Sequence, residues 1–415
     1  MEYGCIGEHL KHSFSKEIHA LLADYDYEIK EIPKAELAAF MENKDFKAIN
    51  VTIPYKLDVI PFLDEISDIA KAIGAVNTIV NKNGRLYGFN TDFYGMKALI
   101  EKSEVEIKGK KVLILGSGGT SKTAFAVAES LNASEIIRVS REKREGFKTY
   151  SEIYETEADA DVIINTTPVG MYPNIEGSAV DIDKFPRLSG VIDAIYNPLR
   201  PELILKAKER GIKASGGLYM LVSQAVFAVE KFLDEKISTE KAEKTFFEVL
   251  KQKENIVLIG MPASGKTTVG KEIAKRLDRE LVDTDDEIVK RAGMPITEIF
   301  ERFGEAHFRE LEKEVIAEIA ANSCKVIATG GGAVLNSQNM SELRKNGRIY
   351  FLDRPLENLI CTSDRPLSSS REALEKRYQE RYDKYVLEAD KRIEMTESIE
   401  ENAIAIIEEF RRNEK

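Results

Sequence analysis

The chain has 415 residues, 43% of them hydrophobic and 32% charged, with a formal net charge of -11. That length exceeds what one hydrophobic core serves, because domains usually hold about 100–200 residues, so two or three domains are expected. The acidic balance argues against nucleic acid or an anionic membrane as the main partner, but not against small anions, whose sites are local.

The three cysteines, Cys5, Cys324 and Cys361, show no metal-ligand spacing and fit a reducing compartment. No apolar run approaches the ~20 residues of a membrane span. The start, Met1-Glu2-Tyr3-Gly4, lacks the basic-then-apolar pattern of a signal peptide. A cytoplasmic protein acting on small molecules is expected, and the sequence leaves its oligomeric state open.

Strand-length apolar runs occur at Ala48–Ile53, Lys111–Leu115, Glu135–Val139, Val162–Ile164 and Val191–Ile195. They recur at Ile256–Ile259, Val326–Ala328 and Arg348–Leu352. Amphipathic helical stretches separate many of them, which predicts an α/β protein built on parallel sheets. Tyr94–Leu99 reads as a crossing between two lobes. Ser238–Leu250 reads as a charged amphipathic helix, and Lys251-Gln252-Lys253-Glu254 as a polar link before a new strand. The domains expected are therefore 1–250, a linker at 251–254, and 255–415.

The strand Lys111–Leu115 runs into Gly116-Ser117-Gly118-Gly119-Thr120 and then an Ala-rich helical stretch. Such a loop brings backbone N–H groups to a pyrophosphate at a helix N-terminus. The next strand ends at Ser140-Arg141-Glu142-Lys143-Arg144. NAD-specific folds place an acidic residue there for the ribose 2′-hydroxyl, whereas Arg141 and Arg144 suit a 2′-phosphate, so NADP is preferred over NAD. Glu142 acts against that preference, and a solvated charged loop is the plain alternative.

A second loop follows Ile256–Ile259: Gly260-Met261-Pro262-Ala263-Ser264-Gly265-Lys266-Thr267-Thr268. It satisfies G-x-x-x-x-G-K-[ST] between a strand and a helix. Its backbone N–H groups suit the phosphates of ATP, Lys266 the β and γ oxygens, and Thr267 a Mg²⁺ ion. The loop specifies a nucleotide and leaves the phosphate acceptor open.

Several further motifs stand in order before residue 250. They are His12-Ser13-Phe14-Ser15, Asn50-Val51-Thr52-Ile53-Pro54-Tyr55-Lys56, Gly74–Thr78 and Gly88–Asp92. Asn165–Met171, Asp193-Ala194-Ile195-Tyr196-Asn197-Pro198 and Gly217–Gln224 follow. Together they resemble the shikimate dehydrogenases over nearly all of residues 1–250. The resemblance implies a substrate lobe of 1–93 and 218–250, and a Rossmann NADP lobe of 94–217. It implies Lys56 and Asp92 as the catalytic pair, with Ser13 and Ser15 on the substrate carboxylate. Thr52, Asn77, Tyr196 and Gln224 would hold the ring substituents. Ile195 and Gly217 would join Gly116, Ser117, Gly118, Gly119, Thr120, Ser140, Arg141 and Arg144 around NADP(H). Lysine is ordinarily cationic at pH 7, so it serves as a base only through a depressed pKa or a proton relay. Pro201 stands where many relatives have threonine, and is expected to start a helix.

From Ile256 nearly to the C-terminus the chain resembles the shikimate kinases, which implies a P-loop domain with a parallel five-stranded sheet. The motifs are Asp283-Thr284-Asp285, Gly304–Glu312, Gly330-Gly331-Gly332, Asp364-Arg365-Pro366-Leu367 and Glu380–Tyr385. Asp285 would hold the shikimate hydroxyls and help remove the attacking proton, and Asp283 would contact Mg²⁺ through water. Arg309, Arg381 and the three glycines would bind the substrate, and Arg365 would face the transferring phosphate. Phe308, Leu311, Val315 and Ile319 form an apolar helical stripe. Arg309 and Glu312 are three apart and share a helix face. Relatives often carry an arginine shortly before the lid that stacks on adenine, and Leu359–Ser363 has none; proline often stands where Asp383 is.

The resulting expectation is a bifunctional enzyme that reduces 3-dehydroshikimate with NADPH and phosphorylates shikimate with ATP and Mg²⁺. Its rivals are a quinate/shikimate dehydrogenase joined to another small-molecule kinase, and a chain in which one half is a non-catalytic ligand-binding module.

Overall fold

The apolar runs sort into three sheets in the computed structural model, which describes residues 1–8, 10, 14–359 and 371–412. The chain divides into two units, Met1–Val249 and Leu250–Lys415; the first holds two sheets and the second holds one.

The first sheet comprises β1 (Tyr3–Gly7), β2 (Tyr27–Glu31), β3 (Ala48–Val51), β4 (Glu65–Ile66), β5 (Thr78–Lys82) and β6 (Arg85–Phe89), in the order β2-β1-β3-β5-β6-β4. β1 runs parallel to β2 and β3, while β5 is antiparallel to β3 and β6. The β5–β6 hairpin turns on Asn83 and Gly84, both at positive φ, which is the pairing a two-residue turn favours. Helices α1 (Ser15–Leu22), α2 (Leu37–Asn43) and α3 (Asp68–Ile73) accompany it, α3 starting on a Ser67 hydroxyl that accepts from Ala70 N. β3 is shorter than the apolar run that predicted it. Thr52 still donates its N–H to Ile6, but Ile53 leaves the sheet and is 75% exposed.

The second sheet is wholly parallel, β11-β10-β9-β7-β8, built from β7 (Lys111–Leu115), β8 (Glu135–Val139), β9 (Val162–Asn165), β10 (Gly190–Asp193) and β11 (Lys213–Ser215). Its central strands are buried on both faces, which is why their sequences read as continuous apolar runs rather than alternating ones. The accompanying helices are α4 (Thr91–Lys102), α5 (Gly119–Ser130), α6 (Tyr150–Thr156) and α7 (Glu202–Glu209); α8 (Leu218–Leu233) packs Ala228 and Phe232 against the first sheet, and α9 (Thr239–Lys253) follows it. The crossing expected at Tyr94–Leu99 lies inside α4, which packs along α8 with Tyr94 against Phe227. Gly95 allows that approach, since a Cβ there would stand 2.6 Å from the Met220 carbonyl. Pro201 immediately precedes α7, as its fixed φ favours.

The third sheet, β13-β14-β12-β15-β16, is also parallel. Its strands are β12 (Asn255–Ile259), β13 (Glu280–Asp283), β14 (Lys325–Ala328), β15 (Gly347–Asp353) and β16 (Lys391–Glu394). It is flanked by α10 (Lys266–Leu277), α11 (Thr284–Ala292), α12 (Ile296–Ala321), α13 (Ser337–Asn346), α14 (Arg371–Glu388) and α15 (Ile399–Arg411). Gly304 interrupts α12 at φ 81°, so two helical pieces meet at a kink. Beyond it, Phe308 and Val315 are buried with Ile288 and Ile299, and Leu311 and Ile319 pack partly against them.

The polar link expected at 251–254 takes another form. α9 continues to Lys253, and Arg279 donates to the carbonyls of Lys251 and Glu254. A guanidinium on the last carbonyls satisfies a helix C-terminus, so the polar composition here marks the end of α9. Glu254 is itself buried against Arg348 at 3.0 Å.

Candidate functional sites

In the first unit, Lys56 follows β3 and Asp92 opens α4. Lys56 is held by its neighbours: its carbonyl accepts from Val76 N, and the buried Tyr55 hydroxyl donates to Ile32 O. The helix bearing Asp92 starts at Asn90, whose side chain accepts from Phe93 N. These supports bring Lys56 Nζ to 2.6 Å from Asp92 Oδ2, with side chains 24% and 15% exposed. An ammonium and a carboxylate in contact at a partly open surface can bind an alcohol oxygen and share its proton.

The other expected substrate residues lie on the elements around that pair. Asn77 is buried, with its amide donating to Thr91 Oγ1 and its Oδ1 accepting from Thr91 N, so it also fixes the start of α4. Thr52 adjoins Gly7. Gln224 lies beside Gly95, one helical turn from Asp92, and donates to Leu221 O. Tyr196 meets Phe14 edge-on at 5.3 Å. Ser15 opens α1, whereas Ser13 falls outside the described residues. Cys5 neighbours this group; burial pushes its thiol up to about 12, with Lys56 acting in the opposite direction.

The glycine-rich loop leaves β7 at Gly116, whose φ of +113° and contact with Thr166 exclude a side chain. Gly118 and Gly119 have open space where a Cβ would stand, and Thr120 lies in the first turn of α5. The backbone is thus free to approach a pyrophosphate. Arg144, beyond β8, donates to Ser117 Oγ at 3.3 Å, and its pairing with Glu142 is looser at 3.7 Å. Arg141 is exposed beside it, and Ser140 Oγ donates to the Glu142 carbonyl. Serine, arginine and an open helix start form a donor set whose chemistry fits a 2′-phosphate and a pyrophosphate. Ile195 is buried after β10, and its carbonyl accepts from Gly217 N at 2.7 Å.

In the second unit, the P-loop joins β12 to α10 with Gly260, Ala263 and Gly265 all at positive φ. Lys266 is buried and donates to the loop carbonyls of Gly260 and Met261, while Thr268 is exposed in the first turn of α10. Thr267 Oγ1 donates to Asp283 Oδ2 at 2.6 Å, and Asp283 Oδ1 accepts from Asp285 N. This hydroxyl and carboxylate, beside phosphate-binding amides, fit the oxygen chemistry of Mg²⁺. Pro262 packs against Gly331, and the Ser264 hydroxyl is buried with no partner among the described residues.

Gly330, Gly331 and Gly332 follow β14 and are crowded by charged side chains. A Cβ on Gly330 would lie 2.6 Å from Asp285 Oδ1, and one on Gly332 would collide with the Arg309 guanidinium. Arg309 pairs with the buried Glu312 at 2.8 Å and with Glu305 at 3.0 Å. Burial opposes the Arg309 charge, but Glu312 and Glu305 more than offset it and raise its pKa. Burial raises the pKa of Glu312, and Asp285 adds to that while Arg309 opposes it. Arg381 is buried rather than solvated, donating to Gly331 O at 2.9 Å, and the Tyr385 hydroxyl donates to the same oxygen. Asp285, Arg309, Arg381 and the triple glycine therefore converge. The lid motif with Arg365 lies outside the described residues.

Some contributors escaped the sequence reading. Thr284 Oγ1 accepts from Gly330 N, tying the Asp283–Asp285 turn to the glycines. Tyr385 was inside a quoted motif but had no assigned role. Arg377 stands one turn before Arg381; burial and then the Arg381 charge lower its pKa. Its i−4 spacing from Arg381 was the available signal.

The family description "Shikimate dehydrogenase substrate binding domain" matches residues 5–79, and "Shikimate kinase" matches residues 262–411. Shikimate dehydrogenase (NADP(+)) of Clostridium beijerinckii is 40% identical over 245 residues, covering 55% of this chain and 90% of that protein. A solved chorismate mutase/shikimate 5-dehydrogenase fusion protein from Clostridium acetobutylicum is 39% identical with a TM-score of 0.56, covering 60% of this chain and 96% of that one. The Thermus thermophilus shikimate 5-dehydrogenase, solved with NADP(H) and shikimate, is 25% identical with a TM-score of 0.54, covering 60% of this chain and 99% of that one. The chain belongs to the shikimate dehydrogenase family, and its second unit contains a shikimate kinase domain.

Proposed function

We propose that this chain catalyses two consecutive steps, NADPH-dependent reduction of 3-dehydroshikimate to shikimate and ATP-dependent phosphorylation of shikimate at its 3-hydroxyl. The observation supporting this most directly is that one chain holds both constellations. Lys56 and Asp92 meet in the first unit, and Asp285, Arg309 and Arg381 converge beside a P-loop in the second.

In the first step NADPH supplies the hydride when bound. Lys56 holds the carbonyl oxygen of 3-dehydroshikimate and delivers the proton that makes it a hydroxyl, while Asp92 orients the ammonium. Ser13 and Ser15 take the carboxylate, and Thr52, Asn77, Tyr196 and Gln224 the ring substituents. Arg141, Arg144 and Ser117 take the 2′-phosphate.

In the second step Arg309, Arg381 and the Gly330–Gly332 amides hold the shikimate carboxylate and ring. Asp285 accepts a hydrogen bond from the attacking hydroxyl and draws its proton away. Thr267 would hold Mg²⁺ directly and Asp283 through water, and Lys266 together with Arg365 would neutralise charge on the phosphates. The product of the first site is the acceptor of the second.

The test is one mass-spectrometric assay of the purified chain with 3-dehydroshikimate, NADPH, ATP and Mg²⁺. Shikimate 3-phosphate is the expected product. Shikimate accumulating without phosphorylation would remove the kinase assignment, and no conversion would remove the dehydrogenase assignment.

A further inference from the structure

We infer that Asp193 is a positioning residue for hydride transfer, locking the loop after β9 and the loop after β10 into one assembly around the cofactor through the Asn165 amide. This rests on the dehydrogenase reading above.

The two side chains stand at the ends of adjacent parallel strands, paired in register, and neither is exposed to solvent. Asn165 Nδ2 lies 3.1 Å from both Asp193 carboxylate oxygens, and Ile195 N donates to Oδ1 at 2.9 Å. The other end of the amide, Asn165 Oδ1, accepts from Thr167 N at 3.0 Å and from Thr167 Oγ1 at 2.7 Å. A backbone N–H only donates, so Thr167 N fixes Asn165 Oδ1 as the acceptor and turns its Nδ2 toward Asp193.

The connections reach the cofactor residues from two sides. Thr166, between the anchored Asn165 and Thr167, donates its hydroxyl to Leu115 O at 2.6 Å and presses on Gly116, the first glycine of the phosphate loop. On the other side, Ala194 N donates to Asn165 O and Gly217 N to Ile195 O, and Tyr196 follows directly. Burial pushes the Asp193 carboxyl up to about 7, so holding a carboxyl here is costly. A carboxyl supporting the fold alone would have no need to join the phosphate side of the site to the Ile195–Tyr196 side.

The network contains its own test, because exchanging the partners keeps a donor facing an acceptor across the pair and gives up only the contact to the oxygen that also accepts from Ile195 N. In the Asn165→Asp/Asp193→Asn double variant, the new amide at 193 donates to the new carboxylate at 165. That carboxylate still accepts from Thr167, and the amide oxygen still accepts from Ile195 N. Asp193→Asn alone opposes donor to donor, and Asn165→Asp alone opposes two carboxylates. The measurements are the NADPH dissociation constant, from cofactor fluorescence without substrate, and KM and kcat for reduction of 3-dehydroshikimate.

Each single variant is expected to weaken NADPH binding about tenfold or more, which corresponds to about 1.4 kcal/mol. KM for NADPH should rise more than KM for 3-dehydroshikimate. The double variant should return to within about threefold of the unaltered chain, as expected where the contact between the two residues carries the effect. If a single variant does not fold, the exchange still decides. Unchanged NADPH affinity in a folded single variant overturns the inference. So does a double variant that binds no better than the worse single variant, or that fails to fold. Absence of hydride transfer in the unaltered chain would instead overturn the dehydrogenase reading.

Discussion

Lys56 and Asp92 are 36 positions apart in sequence, yet the ammonium of one donates to the carboxylate of the other at 2.6 Å. One follows a strand and the other begins a helix, so the pair exists only when the first sheet and α4 are both formed. Lys56→Met should slow hydride transfer by about 10²–10⁴-fold, the range a positioned proton donor supplies. NADPH affinity should be nearly unchanged, and shikimate phosphorylation by the same preparation should proceed at its normal rate. Following NADPH absorbance and ATP consumption separately checks both expectations. Loss of both activities would mean that the variant disturbs the whole chain.

Thr267 and Asp283 are joined at 2.6 Å through a hydroxyl donor and a carboxylate acceptor, the oxygen pair proposed to hold Mg²⁺. Chelating the metal with EDTA should abolish phosphoryl transfer while leaving reduction of 3-dehydroshikimate intact. Asp283→Asn should raise the Mg²⁺ concentration needed for half-maximal phosphorylation by about tenfold, since the group that holds the metal's water loses its charge. Phosphorylation that survives exhaustive chelation would exclude this role.

Shikimate affinity in the second unit should depend on guanidinium geometry as well as charge. Arg381 donates to Gly331 O while buried beside Tyr385, whose hydroxyl burial pushes up to about 12. A lysine there keeps the charge but loses the planar fork. Arg381→Lys should raise KM for shikimate about 10–100-fold, the loss expected for a charged hydrogen bond, with KM for ATP changing much less. Steady-state phosphorylation with each substrate varied in turn separates the two. Equal increases in both constants would place Arg381 in general support of the domain.

The central strands of the two wholly parallel sheets and both phosphate loops were legible because local sequence dictates them. Lys111–Leu115 is buried on both faces and carries no polar alternation, and each loop follows such a strand directly. The edge strands were harder. β2 alternates one buried residue with charged ones, as an exposed edge does, and β16 is equally charged. The anchored end of α9 was read as a link because its partners, Arg279 and Arg348, lie far along the chain. The Asp193–Asn165 contact was invisible for the same reason. Both residues lay within quoted motifs, but only the strand register shows that their ends are neighbours.

The last prediction concerns His19, which is buried with Nδ1 2.7 Å from the Tyr25 hydroxyl and its ring stacked on Tyr27 at 3.8 Å. Burial lowers its pKa to about 3, with Asn50 acting against the shift. The unfolded chain takes up this proton near the ordinary value of about 6.5, whereas the native state stays neutral until about 3. Between those limits the unfolded state binds more protons. The contribution is therefore complete above about pH 6.5 and is lost as pH falls, by up to about 1.4 kcal/mol per unit. His19→Phe keeps an aromatic ring but removes both the titration and the partner of Tyr25. At about pH 7.5 the variant should be less stable by about 1 kcal/mol, the worth of a typical hydrogen bond. At about pH 5 the gap should close or reverse, because only the unaltered chain pays to keep an imidazole neutral. Urea unfolding at the two pH values reads the difference directly, and a gap independent of pH would show that His19 is not the titrating group.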